Sequence, residues 1–316
     1  MNKKTIMIAI GGNAISSSTG DETINESFSN TRSLVKNLKP FFKLNCKICI
    51  NHGNGPQVGN ELMRMELTRK TIPPLPLGVC VSNTQGSIGY MLQQTIQNHL
   101  RFEKIDREVV TLVSQVIIDK DDPSIKSPTK FVGPKYIKKD ILKLKKIYNW
   151  NIKEQEPNQW RRVVPSPFPK YVMHGKSIKT LVNSGVVIIA GGGGGIPVYN
   201  NENGLLEGLD AVIDKDYVAA KLGHIIKANE LWILTNINCL FKEFLTEKIK
   251  KKPIRNISFD ELKVLYESNI FQKGSIAPKV KSALHFLKHG GDKVVITSAK
   301  CIEEAIKGTQ GTHIRN

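Results

Sequence analysis

Glycines and lysines are the residues whose types and spacing could do chemistry in this chain. Three glycine-bearing loops each follow a short apolar run: Gly11-Gly12-Asn13-Ala14, Gly53-Asn54-Gly55-Pro56-Gln57-Val58-Gly59, and Gly191 to Gly195. Lacking a Cβ, glycine lets backbone N–H groups approach an anion, and a helix that follows adds its positive end. A tight strand-to-helix turn also needs glycine for steric reasons, so Gly11-Gly12 taken alone is compatible with either role. Five successive glycines lose much backbone entropy on ordering. Close approach to a ligand explains such a run better than a simple turn.

Two lysines stand beside features that could fix them. Asp214-Lys215-Asp216 opens a helical segment. One reading is a lysine held in orientation by carboxylates, which could also recruit Mg2+ through water. The other is a helix start with Asp216 as its cap and acids favoured by the helix dipole. Lys279 follows Gly274-Ser275-Ile276-Ala277-Pro278, and Pro278 suits a first helical turn. Its ammonium could reach a phosphate across the loop, although a lone lysine at a helix start is ordinarily solvated. The familiar fingerprints are missing: there is no GxxxxGK[ST], and Gly53 to Gly59 gives GxGxxxG where dinucleotide binding needs GxGxxG. No His pair and no Ser/His/Asp set suggests a general base.

The elements that must position these residues alternate. Nearly continuous apolar runs recur at 5–10, 47–50, 109–118, 186–190, 231–235 and 294–297, as strands covered on both faces require. Helical spacing fills 31–44, 85–102, 215–227 and 278–289. The expected fold is α/β: a three-layer sandwich with a central, mostly parallel sheet and helices on both faces, forming one domain over 1–316. Such sheets bind ligands at the carboxyl ends of their strands, so the three glycine loops should share one edge. Two stretches interrupt the rhythm. Residues 123–176 are basic and proline-spotted and look like a small inserted subdomain, and 197–213 reads as a β-hairpin with a loop longer than two residues.

Composition narrows the class. The 316 residues are 40% hydrophobic and carry a formal charge of +18. No run of about 18 apolar residues suggests a membrane span, and five cysteines, an odd number, suit a reducing, cytoplasmic setting. Cys46 and Cys49 form a CxxC, but in a strand their side chains point to opposite faces. The charge excess is mostly lysine, 37 Lys against 9 Arg, whereas base readout leans on Arg. Residues 123–176 hold eleven Lys and two Arg against three acids, more than half of the excess. That stretch is either a solvated basic face or one turned towards phosphate.

Together the strings Ala9 to Ala14, His52-Gly53-Asn54-Gly55-Pro56-Gln57-Val58-Gly59, Thr84-Gln85-Gly86, Pro128-Thr129-Lys130, Trp160-Arg161-Arg162-Val163-Val164-Pro165-Ser166-Pro167, Gly192 to Val198, Ala211 to Asp216, and Gly274-Ser275 with Pro278-Lys279 resemble carbamate kinase, of the amino-acid-kinase fold. The motifs run in the family's order along essentially the whole chain. The resemblance implies reversible phosphoryl transfer between carbamoyl phosphate and ADP, with ATP and ADP carrying Mg2+, in a homodimer with no nucleic-acid or membrane partner. It assigns Gly11, Gly12, Asn13, Gly53, Asn54 and Gly55 to carbamate and the transferred phosphate, within an N-terminal part of about 1–210. It assigns Gly193, Gly194, Asp214, Lys215, Gly274, Ser275 and Lys279 to the nucleotide, mostly in a C-terminal part of about 211–316. Lys130 would reach in from the insertion as a lid, and Lys130, Lys215, Lys279 and Asp216 would form the catalytic set, with no metal ligand from the protein. The chain departs from the family where Phe131-Val132 replaces Pro-Ile and in Leu234-Thr235-Asn236-Ile237-Asn238, which has an Asn where an Asp is common. Two alternatives remain on these residues: another acyl or nucleoside-monophosphate kinase of the same fold, and a basic nucleic-acid-binding protein built on it.

Overall fold

The computed structural model describes residues 3–15, 23–148, 150–242, 252–271 and 276–316. Its centre is an eight-stranded sheet in the order Asn256–Ser258, Thr312–Arg315, Lys293–Ser298, Glu230–Thr235, Thr5–Ile10, Lys47–His52, Val187–Ile189, Val109–Thr111. Neighbours run parallel except Lys293–Ser298 and Thr312–Arg315. Thr5–Ile10 is buried along its whole length, which explains its unbroken apolar sequence. Its side chains alternate between two cores: Met7 and Ala9 enter one, Ile6, Ile8 and Ile10 the other.

Each core is closed by helices. Leu34, Val35, Leu38 and Phe41 of Ile24–Lys43 and Ile88, Leu92 and Ile96 of Leu77–Phe102 cover the first face, with Phe41 edge-on to Trp232 at 4.9 Å between ring centroids. The second face is covered by Ile178 and Val182 of Gly175–Asn183, Val218 and Leu222 of Lys215–Ile225, and Val280, Ala283 and Phe286 of Ile276–Lys288. Cys46 and Cys49 fall in opposite cores. Burial pushes their thiols up to about 11 and about 12, so both are packing residues. No helix among the described residues is long and apolar enough to cross a membrane.

Two features differ from the expected pattern. The apolar run 109–118 is two strands, Val109–Thr111 and Gln115–Ile117, because the chain leaves the central sheet at Ser114. The second piece joins a four-stranded sheet with Tyr171–Val172 and with the hairpin Ile196–Asn200/Leu206–Gly208. The helices also begin earlier than periodicity alone indicates. Ile24–Lys43 starts at a capping box of Thr23 and Glu26, and Leu77–Phe102 starts after Pro76.

Within 123–176, the part with its own sheet is narrower. Lys130–Tyr136, Gln159–Val164 and Ile152–Glu156 form an antiparallel three-stranded sheet with the helix Lys138–Tyr148. Val132 and Val164 seat this sheet on Val58, Leu62, Leu77 and Val81 of the body. Arg162 bonds Asp210 at 2.8 Å, and Arg69 stacks over the Tyr148 ring at 4.1 Å.

Phe41 fills a fully buried position against Trp232, so Phe41→Ala should lower unfolding free energy by about 3–5 kcal/mol in urea titration. A loss under about 1 kcal/mol would show that this face of the sheet is loosely packed.

Candidate functional site

Thr5–Ile10 lies where the strand order reverses, with Lys47–His52 on one side and Glu230–Thr235 on the other. In open α/β sheets the crevice at such a point receives ligands. The chain closes it with backbone contacts. Gly11 N donates to Leu234 O at 2.9 Å, and Gly53 N donates to Ile10 O at 2.9 Å. A Cβ on Gly53 would stand 2.8 Å from Gly12 N and 3.3 Å from Lys215 Cδ. The first two glycine loops therefore touch, and Lys215 lies against their junction.

Gly55 opens the helix Gly55–Thr68, and its N-cap residue Asn54 makes no capping bond. The Asn54 side chain donates instead to Thr84 Oγ1 at 2.8 Å. No side chain caps the leading amides, those of Gly55 and Gln57 on either side of Pro56, which has no N–H, and uncapped amides at a helix start attract anions. Asn13 sits beside them in the short turn Gly12–Ala14.

Gly191 to Gly195 form a tight turn, with φ of +67° at Gly191 and +64°, +87° and +78° at Gly193, Gly194 and Gly195. A Cβ on Gly193 would fall 2.2 Å from Asn54 Nδ2, and one on Gly194 2.0 Å from Ile213 O. The turn is thus wedged between the Gly53–Gly55 loop and the segment entering Asp214, both conformation and space demanding glycine. It is held from outside: Gly191 N donates to Ser114 Oγ at 2.9 Å, Asn51 Nδ2 to Gly191 O at 2.5 Å, and Gln85 makes bonds of 2.7 and 3.2 Å with the Ser114 backbone.

The cap of the helix Lys215–Ile225 is Asp214, whose side chain accepts from Asp216 N at 2.9 Å. This corrects the reading of Asp216 as the cap. Asp216 lies in the first turn and uses both oxygens on lysines: Lys215 Nζ donates to Oδ1 at 2.6 Å, and Lys279 Nζ to Oδ2 at 3.3 Å. All three side chains are largely shielded, Asp216 being 3% exposed. Burial alone would raise the Asp216 carboxyl, but the two ammonium groups outweigh it and hold it below the usual aspartate range. Asp214 Oδ2 accepts from Lys130 Nζ at 3.3 Å, tying the first residue of the inserted sheet to the same helix start. Gly274 and Ser275 lie outside the described residues.

These residues give the crevice two walls, glycine-loop backbone on one side and lysine ammonium groups on the other. Its two carboxylates are both committed to lysines, and among the described residues no group of three or more His, Cys, Asp or Glu is placed to hold a metal. A cavity of about 420 Å3 lies elsewhere, lined by Lys47, Arg107 and Gly185 at the opposite edge of the sheet. His52, Asn51, Thr84, Gln85 and Ser114 enter the site's framework without having been singled out as site residues. His52, Thr84 and Gln85 lie within the family-like motifs, while Ser114 marks only a polar break in an apolar run.

Asp216→Asn would leave two shielded ammonium groups without their carboxylate, at a cost of about 3–5 kcal/mol. The folded carboxyl titrates below its unfolded value of about 3.9. Its contribution is therefore present above that value and lost as pH falls through the lower folded one. The stability gap between wild type and Asp216→Asn, from urea unfolding, should be constant near neutrality and shrink below about pH 4. A gap that grows on acidification contradicts this sign.

The family model for the amino acid kinase family matches residues 4–298. The chain is 41% identical over 311 residues to a carbamate kinase of Pyrococcus horikoshii, covering 98% of each chain. It is 39% identical over 315 residues to carbamate kinase 2 of Staphylococcus aureus, covering 99% of each. Its structure aligns with that of a carbamate kinase from Giardia lamblia bound to AMP-PNP at a TM-score of 0.91 and 32% identity, covering 99% of this chain and 98% of the other. The chain therefore belongs to the amino acid kinase family and is a phosphotransferase.

Proposed function

We propose that this chain is a carbamate kinase, transferring a phosphoryl group reversibly between carbamoyl phosphate and ADP to give ATP and carbamate, which breaks down to ammonia and CO2. The observation that carries this reading is the convergence of the Gly12 and Gly53 backbone with Lys215, itself paired through Asp216 to Lys279. In-line transfer needs positioned reactants and neutralised charge more than covalent help. A terminal ADP oxygen attacks the phosphorus, the bond to the carbamoyl oxygen breaks, and carbamate leaves with that electron pair. Carbamate is a competent nucleophile in the reverse direction, so no general base is required.

In this scheme Gly11, Gly12, Asn13, Gly53, Asn54 and Gly55 hold the acyl phosphate. Lys215 and Lys279 neutralise charge on the transferred group, Asp216 orients them, and Asp214, Gly193, Gly194, Gly274 and Ser275 belong to the nucleotide side. Lys130, at the root of the inserted sheet, meets the acyl phosphate as that sheet acts as a lid excluding water. Any Mg2+ would be held by the nucleotide phosphates and would offset their charge, since Asp214 and Asp216 are already bonded to lysines. The physiological setting that fits is ATP formation during arginine fermentation by the arginine deiminase route, by a cytoplasmic homodimer.

ATP formation from carbamoyl phosphate and ADP tests the reading, with acetyl phosphate as the comparison. Preference for acetyl phosphate would point to another acyl kinase. Lys215→Ala and Lys279→Ala should each lower turnover about 100- to 1,000-fold, and near-normal turnover would remove that lysine from the mechanism. Lys130→Ala should weaken use of carbamoyl phosphate much more than ADP affinity, and harm to ADP binding alone would refute its place on the acyl side.

A further inference from the structure

His52 is the last residue of the strand Lys47–His52 and is 1% exposed, an unusual position for an imidazole beside a phosphate-type site. Its Nδ1 lies 3.0 Å from Gly53 O. Since a carbonyl oxygen only accepts, Nδ1 carries the proton and donates. Burial, with the Lys215 charge adding to it, pulls the imidazole down to about 4, against a smaller opposing effect from the Gly53 carbonyl. The ring is therefore neutral at working pH. The Gly191–Gly195 turn closes its other side, because a Cβ on Gly192 would fall 2.3 Å from His52 Nε2. That leaves no room for the ring to swing away.

The consequence lies one peptide unit further on. Gly53 C=O and Asn54 N–H share a planar trans unit, so fixing the carbonyl on His52 aims the Asn54 N–H the opposite way. Asn54 N faces the first glycine loop, 3.9 Å from where a Gly12 Cβ would stand, and its N–H finds no acceptor among the described residues. We propose that His52 is a positioning residue that locks the Gly53–Asn54 peptide, so that the Asn54 N–H is held towards the transferred phosphate. This rests on the phosphoryl-transfer reading of the site and adds to it a residue that touches no substrate. Rotation of this peptide would turn a donor into a repelling carbonyl facing an anion.

The test compares His52→Leu, which fills the space without a donor, with His52→Asn, whose amide replaces Nδ1–H. His52→Leu should lower turnover about 100-fold, the scale of a misplaced reacting group, and should weaken inorganic phosphate binding in calorimetry while thermal unfolding confirms a folded protein. His52→Asn should restore most of both. Long-range 1H–15N correlation spectra of the wild type should show the neutral Nδ1–H tautomer. Equal loss in both folded variants, full activity in His52→Leu, or an Nε2–H tautomer would overturn the proposal. Phosphate binding and the tautomer do not depend on the acyl phosphate supplied. A wild type that makes no ATP from carbamoyl phosphate thus sinks the carbamate kinase reading separately.

Discussion

One carboxylate, Asp216, holds two ammonium groups that arrive from different helices, and the cationic wall of the site is set by where it lies. Lys215 comes from the same helix turn, and Lys279 from Ile276–Lys288 across the core. Two lysines this shielded would repel each other and lose hydration; a carboxylate bonded to both compensates the charge and fixes its position. The compensation is incomplete by design. Two positive charges against one negative leave a net charge in a low-dielectric crevice, where a phosphoryl group in transit is itself anionic.

The opposite wall works by subtraction. Gly53 and Gly193 have no Cβ because a neighbour already occupies the space one would take, and the contacts run in a chain from Gly12 to Gly53 to Asn54 to Gly193. Strand ends brought together by parallel pairing supply the loops, and side chains behind them, Thr84, Ser114, Gln85 and His52, take up the hydrogen bonds that loops leave open. The receptor is rigid because its donors are main-chain groups fixed from the far side.

Much of this was legible in the sequence. Apolar runs such as Thr5–Ile10 could only be strands covered twice, and glycine after each of three runs placed a common edge in view. Local competition was harder to see. Asp214 and Asp216 are chemically identical, and the sequence does not show that Asp214 caps the helix and takes Lys130 while Asp216 pairs with Lys215 and with Lys279 from a distant helix. The run 109–118 has one composition throughout, yet Ser114 divides it because its hydroxyl is needed by Gly191. His52 gave no sign as a type, since a histidine ending a buried strand is as easily structural.

In the proposed reaction the glycine-loop backbone and the Asp216-linked lysines serve one phosphoryl group. A crystal structure with Mg2+ and a non-hydrolysable ATP analogue tests it most directly. The terminal phosphate should lie against the first glycine loop and the Asn54 amide on one side and the Lys215 and Lys279 ammonium groups on the other. A terminal phosphate bound away from these lysines, or in the cavity by Lys47 and Arg107 at the opposite edge, would contradict it.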